Sequence, residues 1–481
     1  MSKWLKNDIP AFAVVGRVNA GKSATLATLL EIDDDELLRI SATPGETTGV
    51  QSLPVVYDDE ELLLFLDTPG FQQPVEAMRE IRKLAGDGVP GPAQISKFVA
   101  GYGDRFPDEV RLLEPLIEGA GVIYVVDPCK PLRDTFLAEI EMLRWTGRPR
   151  LALLNPQSEG DPELEREWRD RLGTSFNLVR TFDAHQARFD ERRRLLEALL
   201  QIEERHASHI ERVIAAMENE MSERREEAAE AILDFLEKSL TLRVSDPIDI
   251  RDRGVASRLE KKRADLEASY FKKLSNLEKS CLKRLLKVYR HHLIAPDVDP
   301  AHHAGLNLAM AETWQKWGLS RMQLTAAGAV AGGAAGAVFD LGVGVHSLGA
   351  GTVIGAIGGG TAAFFKGGAL PELRIVGGLG KVRGDGQSMV AGPPESPNFP
   401  WVLLDSMLIR YSGIISRAHG RRDGGVLEVG VEDRHVRSFP SARRGLFQKW
   451  FASCMKGSPD RGKEPEVFAE LLESLKEVED R

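Results

Sequence analysis

Eight residues near the N-terminus, Gly16-Arg17-Val18-Asn19-Ala20-Gly21-Lys22-Ser23, fit the pattern GxxxxGK[ST]. A glycine-rich turn of this kind exposes successive backbone N–H groups to phosphate oxygens, and the helix it opens adds favourable charge at its N-terminus. In that geometry the Lys22 ammonium reaches the outer phosphates and the Ser23 hydroxyl ligates Mg2+. Gly16, Asn19, Ala20, Gly21, Lys22, Ser23 and Ala24 are therefore candidate nucleotide-binding residues. A second turn, Asp67-Thr68-Pro69-Gly70, closes an apolar run. Asp67 is placed to hold Mg2+ through water, and the Gly70 N–H to sense a terminal phosphate. Between them lies ISATPGETTGV, residues 40 to 50, whose threonines complete a metal shell when a triphosphate is present and detach after hydrolysis. Thr47 is the first choice for that ligand and Thr48 the second. Lys22, Thr47 and Gly70 are the candidate catalytic residues, and Ser23, Thr47 and Asp67 the candidate magnesium ligands.

These residues need strand ends and helix starts to hold them. Six strand-like runs occupy residues 9 to 184: IPAFAVVG (9–16), SLPVVYD (52–58), ELLLFLD (61–67), GVIYVVD (121–127), RLALLN (150–155) and FNLVRTFD (176–183). Several are too continuously apolar to be half-exposed, which predicts a sheet covered on both faces. The second and third are separated by a few acidic residues and read as an antiparallel hairpin. The expected fold class is α/β, a mostly parallel sheet with one antiparallel edge.

From about 190 the character changes to charged helix. One apolar stripe runs through Leu195, Leu199, Ile202, His206, Ile210, Val213, Met217 and Met221. A second runs through Leu259, Leu266, Tyr270, Leu274, Leu277, Cys281, Leu285 and Val288. Either a coiled coil, with self-association through the helices, or an intramolecular hairpin satisfies such stripes. His206 reads as a packed residue rather than a ligand. Residues 324 to 365 carry almost no charge, and glycines at four-residue spacing (328, 332 and 336, then 351, 355 and 359) give a smooth helix face suited to packing in lipid. Arg321 and Lys366 bracket this tract and Asp340 divides it, so a short apolar hairpin contacting membrane lipid from the cytoplasmic face is expected. A soluble, cytoplasmic packing of the same glycine-rich helices is the alternative. The C-terminal part holds a helical pattern at 401–418, a strand-like VLEVGV and a final amphipathic helix, PEVFAELLESLKEVE. The expected domains are thus 1–189, a charged helical region 190–320, the apolar hairpin 321–370 and a C-terminal domain 371–481.

The chain has 481 residues and a formal net charge of −9, which gives no global electrostatic case for a nucleic-acid partner. Its three cysteines lie far apart and form no metal-binding pair.

The ordered motifs resemble those of the Era, TrmE, EngA and FeoB group of P-loop GTPases. GRVNAGKS is similar to that group's first motif, with Arg17-Val18 in place of its residue-proline pair; PGETT is similar to its switch, which puts the magnesium threonine on Thr47; DTPG matches its third motif. The resemblance implies a six-stranded sheet, GTP and GDP as ligands, and a base reader on Asn155-Pro156-Gln157-Ser158. Asn155 matches, but Pro156 stands for the usual lysine and Ser158 for the aspartate whose carboxylate accepts the guanine N1–H and N2–H. Serine has no such pair of acceptors, and losing a charged partner costs about 1.5 to 3 kcal/mol, so weak guanine selectivity is expected unless Asp161 swings back. Ala184, in Phe182-Asp183-Ala184-His185, corresponds to the alanine near the base. In related GTPases the first-motif asparagine helps bind K+, a role Asn19 is placed to fill. Phe71 follows DTPG where other GTPases put a water-orienting glutamine. Beyond residue 185 the chain resembles an uncharacterised domain attached to some bacterial Era-like GTPases. The reading is a slow, membrane-associated GTPase switch, with a nucleotide-binding scaffold of little turnover as the alternative. RNA association is disfavoured by the acidity and by the lack of a GXXG loop among basic residues.

Overall fold

A computed structural model of the chain describes residues 9–32, 49–158, 160–248, 255–291, 372–376, 387–393, 399–419 and 435–481. The chain divides into two compact units, one of residues 1–223, 290–293 and 415–423, the other of 224–289, 294–414 and 424–481.

All six apolar runs of the first unit are strands: β1 (Ala11–Val15), β2 (Gln51–Tyr57), β3 (Glu60–Asp67), β4 (Gly121–Val126), β5 (Arg150–Leu154) and β6 (Leu178–Thr181). They form one sheet in the order β2-β3-β1-β4-β5-β6. Only β2 runs antiparallel, paired along β3 from Gln51 opposite Asp67 to Tyr57 opposite Glu60. The hairpin turns at Asp58 and Asp59, with φ of 49° and 60°. Positive φ at both central residues is the backbone that a two-residue hairpin requires to match the strand twist.

Alternate residues of each strand face opposite layers. Phe12 and Val14 of β1 join the cluster that includes Leu26 of α1 (Lys22–Leu30), Leu195 and Leu199 of α7 (Phe189–Ile202), and Ile210 and Val213 of α8 (Ala207–Thr241). Ala13 and Val15 face the other layer, with Leu112, Ile140 and Trp168. That layer comprises α2 (Pro74–Ala85), α3 (Pro92–Gly101), α4 (Pro107–Glu118), α5 (Asp134–Trp145) and α6 (Pro162–Gly173). Helices α2 to α4 fill the interval between β3 and β4, for which the sequence reading named no individual helix. Each opens on a proline, whose fixed φ and missing N–H suit a first turn.

The first apolar stripe is not one helix: it breaks at Glu203–His206 between α7 and α8, and its residues are spent on the core of this unit. Within the second unit α8 and α9 (Val255–Val288) lie side by side, the Cys281 thiol donating to the Ala231 carbonyl at 3.4 Å and Arg284 pairing with Glu230 at 2.9 Å. Cys281 of the second stripe thus meets α8 beyond the end of the first stripe. Strands β7 (Val244–Ile248), β8 (Glu372–Val376) and β9 (Gln387–Gly392) form a small antiparallel sheet in the order β7-β9-β8. Helices α10 (Phe399–Ile415), α11 (Ser441–Met455) and α12 (Glu464–Glu479) complete the unit.

The membrane expectation is corrected. Among the described residues no helix is long and apolar enough to cross a bilayer. The most apolar, α10, has 17 residues and includes the charged Asp405 and Arg410; at about 1.5 Å per residue it falls short of a hydrocarbon core about 30 Å thick. The glycine-rich tract 321–370 lies outside the described residues, as does VLEVGV, and no apolar hairpin enters the fold described.

Candidate functional site

The crevice forms where strand order reverses around β1, flanked by β3 and β4, and the loops at the carboxyl ends of the parallel strands converge there. Residues 16–21 link the end of β1 to α1. Gly21 caps the helix with φ 86°, and a side chain there would lie 2.2 Å from the Asn155 amide. Asn19 holds φ 63°, a left-handed conformation that asparagine tolerates better than most residues. Ala20 and Ala24 are buried against the sheet.

Lys22 opens α1 and is buried. Its ammonium donates to the Arg17 carbonyl at 3.0 Å and the Gly16 carbonyl at 3.4 Å. Burial lowers its pKa, while the charges of Asp67 and Glu139 oppose that shift. Ser23 donates to Asp67 Oδ2 at 2.7 Å. Asp67 ends β3, 1% exposed, and its Oδ1 is buried without a hydrogen-bond partner among the described residues. Burial raises the Asp67 pKa, against the Ser23 hydrogen bond and the Lys22 charge. A hydroxyl beside a carboxylate with one unclaimed buried oxygen is a donor set for a hard cation such as Mg2+. Thr47 and Thr48 lie outside the described residues.

The turn after β3 closes onto the phosphate loop. A Cβ on Gly70 would lie 2.5 Å from the Val18 nitrogen, and the Phe71 N–H donates to the Gly16 carbonyl at 3.1 Å. Phe71 is packed into the core at 1% exposure. Next, Gln72 and Gln73 donate their backbone N–H groups to the buried Glu109 carboxylate of α4, at 2.8 and 2.5 Å. Glu109 was not singled out in the sequence; its only signal is an acidic residue in the first turn of a proline-started helix.

Asn155 joins three loops. Its side-chain amide donates to the Ala20 carbonyl at 3.0 Å, and its Oδ1 accepts the Ala184 N–H at 3.0 Å. Ala184 in turn accepts the Thr28 hydroxyl at 2.6 Å. Asp161 does not swing back: it caps α6, accepting the Glu163 N–H at 2.9 Å.

Beneath the loop, Arg17 donates to Thr135 at 2.8 Å and lies 3.7 Å from Glu139, whose carboxyl accepts the Tyr124 hydroxyl at 2.8 Å. Burial pushes Glu139 up to about 8, although Tyr124, Arg17 and Lys22 all oppose the shift. This buried glutamate was also invisible in the sequence, where it sits on an ordinary helical pattern.

Two family descriptions match the chain. Residues 11–155 match the family described as "50S ribosome-binding GTPase". Residues 169–472 match the "Domain of unknown function (DUF3482)". No curated protein sequence is significantly similar. Among solved structures, the chain is similar to a bacterial selenocysteine-specific elongation factor, EF-Sec, at 18% identity and a TM-score of 0.24. That match covers 41% of this chain and 29% of the elongation factor, so the chain spans well under half of that protein's length. It is also similar to Era in complex with MgGDPNP and nucleotides 1506–1542 of 16S ribosomal RNA, at 16% identity and a TM-score of 0.30, over 59% of this chain and 90% of Era. The expectation, drawn from net charge, that nucleic acid is an unlikely partner is corrected. A whole-chain sum of −9 says nothing about the local surface that would meet a partner.

Proposed function

The chain belongs to the family that carries the domain of unknown function DUF3482, here behind a P-loop domain of the Era/TrmE/EngA/FeoB GTPase class, and on that premise we propose a guanine-nucleotide-binding scaffold. GTP or GDP with Mg2+ occupies the phosphate loop and fixes the first unit, and turnover is slow without an activator. The observation that carries the binding half is the contact of Ser23 with Asp67 beside Lys22, one Asp67 oxygen being left unclaimed. Lys22 exchanges two loop carbonyls for phosphate oxygens, Ser23 and Asp67 hold the metal, and Thr47 is the remaining candidate ligand. Mg2+, when bound, neutralises charge on the outer phosphates.

Slow turnover follows from the residues after Gly70. Hydrolysis needs a positioned water, and the buried Phe71 ring has no group to hydrogen-bond one. The backbone of Gln72 and Gln73 is tied to Glu109, which holds the turn in place. Asn19 supplies a carbonyl oxygen to a K+ ion in this reading, and phosphate release should then be faster in potassium than in sodium at matched ionic strength. Equal rates would remove the cation.

Binding of a fluorescent GTP analogue, with Mg2+ and with a chelator, is the primary test. Lys22→Ala should weaken binding roughly ten- to a hundredfold, the value of a charge-assisted contact. Unchanged affinity would refute the site. Phosphate release at several turnovers per minute by the isolated protein would favour a working switch over a scaffold.

A further inference from the structure

We infer that the base is read by the neutral carboxamide of Gln157 rather than by a carboxylate, so that 6-oxopurine nucleotides are bound with little regard to the 2-amino group. This rests on the nucleotide-binding reading above and deepens it. With phosphates held after β1, the far end of a nucleotide reaches the loops after β5 and β6, the next parallel strands but one and two across the sheet. The P-loop and those two loops are stitched together at Asn155, which is fully buried and spans Ala20 and Ala184.

Gln157 lies on the surface of this junction. Its Nε2 donates to the Asn155 carbonyl at 3.3 Å and sits 3.0 Å from the point a Gly21 side chain would occupy. The carboxamide therefore rests against the start of α1, in space that glycine leaves open. Its Oε1 accepts no hydrogen bond among the described residues, and one N–H remains.

The described carboxylates nearby are engaged. Asp161 caps α6. Asp127 is buried, accepts the N–H groups of Cys129 at 3.1 Å and Gln157 at 3.4 Å, and pairs with Lys130 at 3.3 Å. Asp183 accepts the His185 N–H at 2.8 Å. Ser158, at the position of the family's aspartate, is anchored through its carbonyl, which accepts the Cys129 thiol at 3.2 Å.

The chemistry of an amide differs from that of a carboxylate at this edge. A carboxylate accepts both N1–H and N2–H of guanine through charge-assisted bonds, each about twice as strong as a neutral one. One amide oxygen accepts N1–H, common to guanine, hypoxanthine and xanthine, and gains little from the 2-amino group. An amide N–H donates to the 2-oxo group of xanthine, which a carboxylate would repel.

The test measures Mg2+-dependent affinities of the full chain for GTP, ITP, XTP and tripolyphosphate. Wild-type affinities for GTP, ITP and XTP should agree within about fivefold, the scale of one neutral hydrogen bond. Gln157→Ala should weaken all three nucleotides by a similar factor and leave tripolyphosphate unchanged. Ser158→Asp should raise the preference for GTP over XTP at least about tenfold. A wild-type preference for GTP of a hundredfold or more, or parallel loss of tripolyphosphate binding in Gln157→Ala, would overturn the inference alone. Absence of all Mg2+-dependent binding, tripolyphosphate included, would instead remove the nucleotide site.

Discussion

Glu139 is the residue on which the phosphate loop most visibly leans. Its carboxyl is fully buried, lies beside Arg17 and takes the Tyr124 hydroxyl. Burial holds it up at about 8, above the ordinary carboxylate range. The native state therefore keeps a proton that the unfolded chain has released, and linkage makes stability fall as pH rises between the two values. The thermal midpoint should decline from about pH 5 to about pH 8, and Glu139→Gln should flatten that decline by removing the titrating group. Asp67 is shifted the same way by burial, so a residual slope remains in the variant. A midpoint with the same pH dependence in both proteins would show that Glu139 does not carry the effect.

At the scale of elements, the informative feature is the contact between the start of α2 and α4. Helix starts leave unsatisfied N–H groups, and here the two just ahead of Pro74 find a single buried carboxylate oxygen on Glu109. Glu109→Ala would remove the carboxylate that both donors share; because Gln72 and Gln73 are exposed and water can take its place, the cost is about 1 to 3 kcal/mol in total. The expected outcome is a clear fall in thermal midpoint together with faster amide exchange at Gln72 and Gln73. Loss of stability without faster exchange there would locate the effect elsewhere. The Asp58-Asp59 turn, by contrast, is a local device whose strand pairing the apolar runs already dictate.

At the scale of the whole molecule, each unit carries its own core, and the second is fastened by a buried polar network. Tyr289 and Tyr411 share a hydrogen bond of 2.7 Å, Tyr411 also donates to Glu479, and Arg225 grips Glu479 at 2.5 and 2.9 Å. Groups of this kind are costly to leave half satisfied. Tyr411→Phe removes one hydroxyl and should cost about 1 to 3 kcal/mol, read as a lower denaturant midpoint. It should leave Mg2+–GTP affinity unchanged, because the network involves no residue of the phosphate loop. Weaker nucleotide binding in that variant would contradict this assignment.

The sequence by itself determined the six strands, the antiparallel edge, the phosphate loop and the acidic turn at Asp67, because each depends on local periodicity or on a backbone conformation that particular residues allow. Helices α2 to α4 had a weaker local signal, prolines at their first turns, that went unread. Tertiary structure decided what those elements do together. Asn155 meets Ala20 across 135 residues of chain, Glu109 reaches back to the turn after β3, and Asp161 caps α6. The first apolar stripe is claimed by the core of the first unit rather than by a partner helix. Hydrogen-bond partners and burial are properties of folded space, where residues distant in sequence compete for the same donors, and no spacing along the chain records which of them wins.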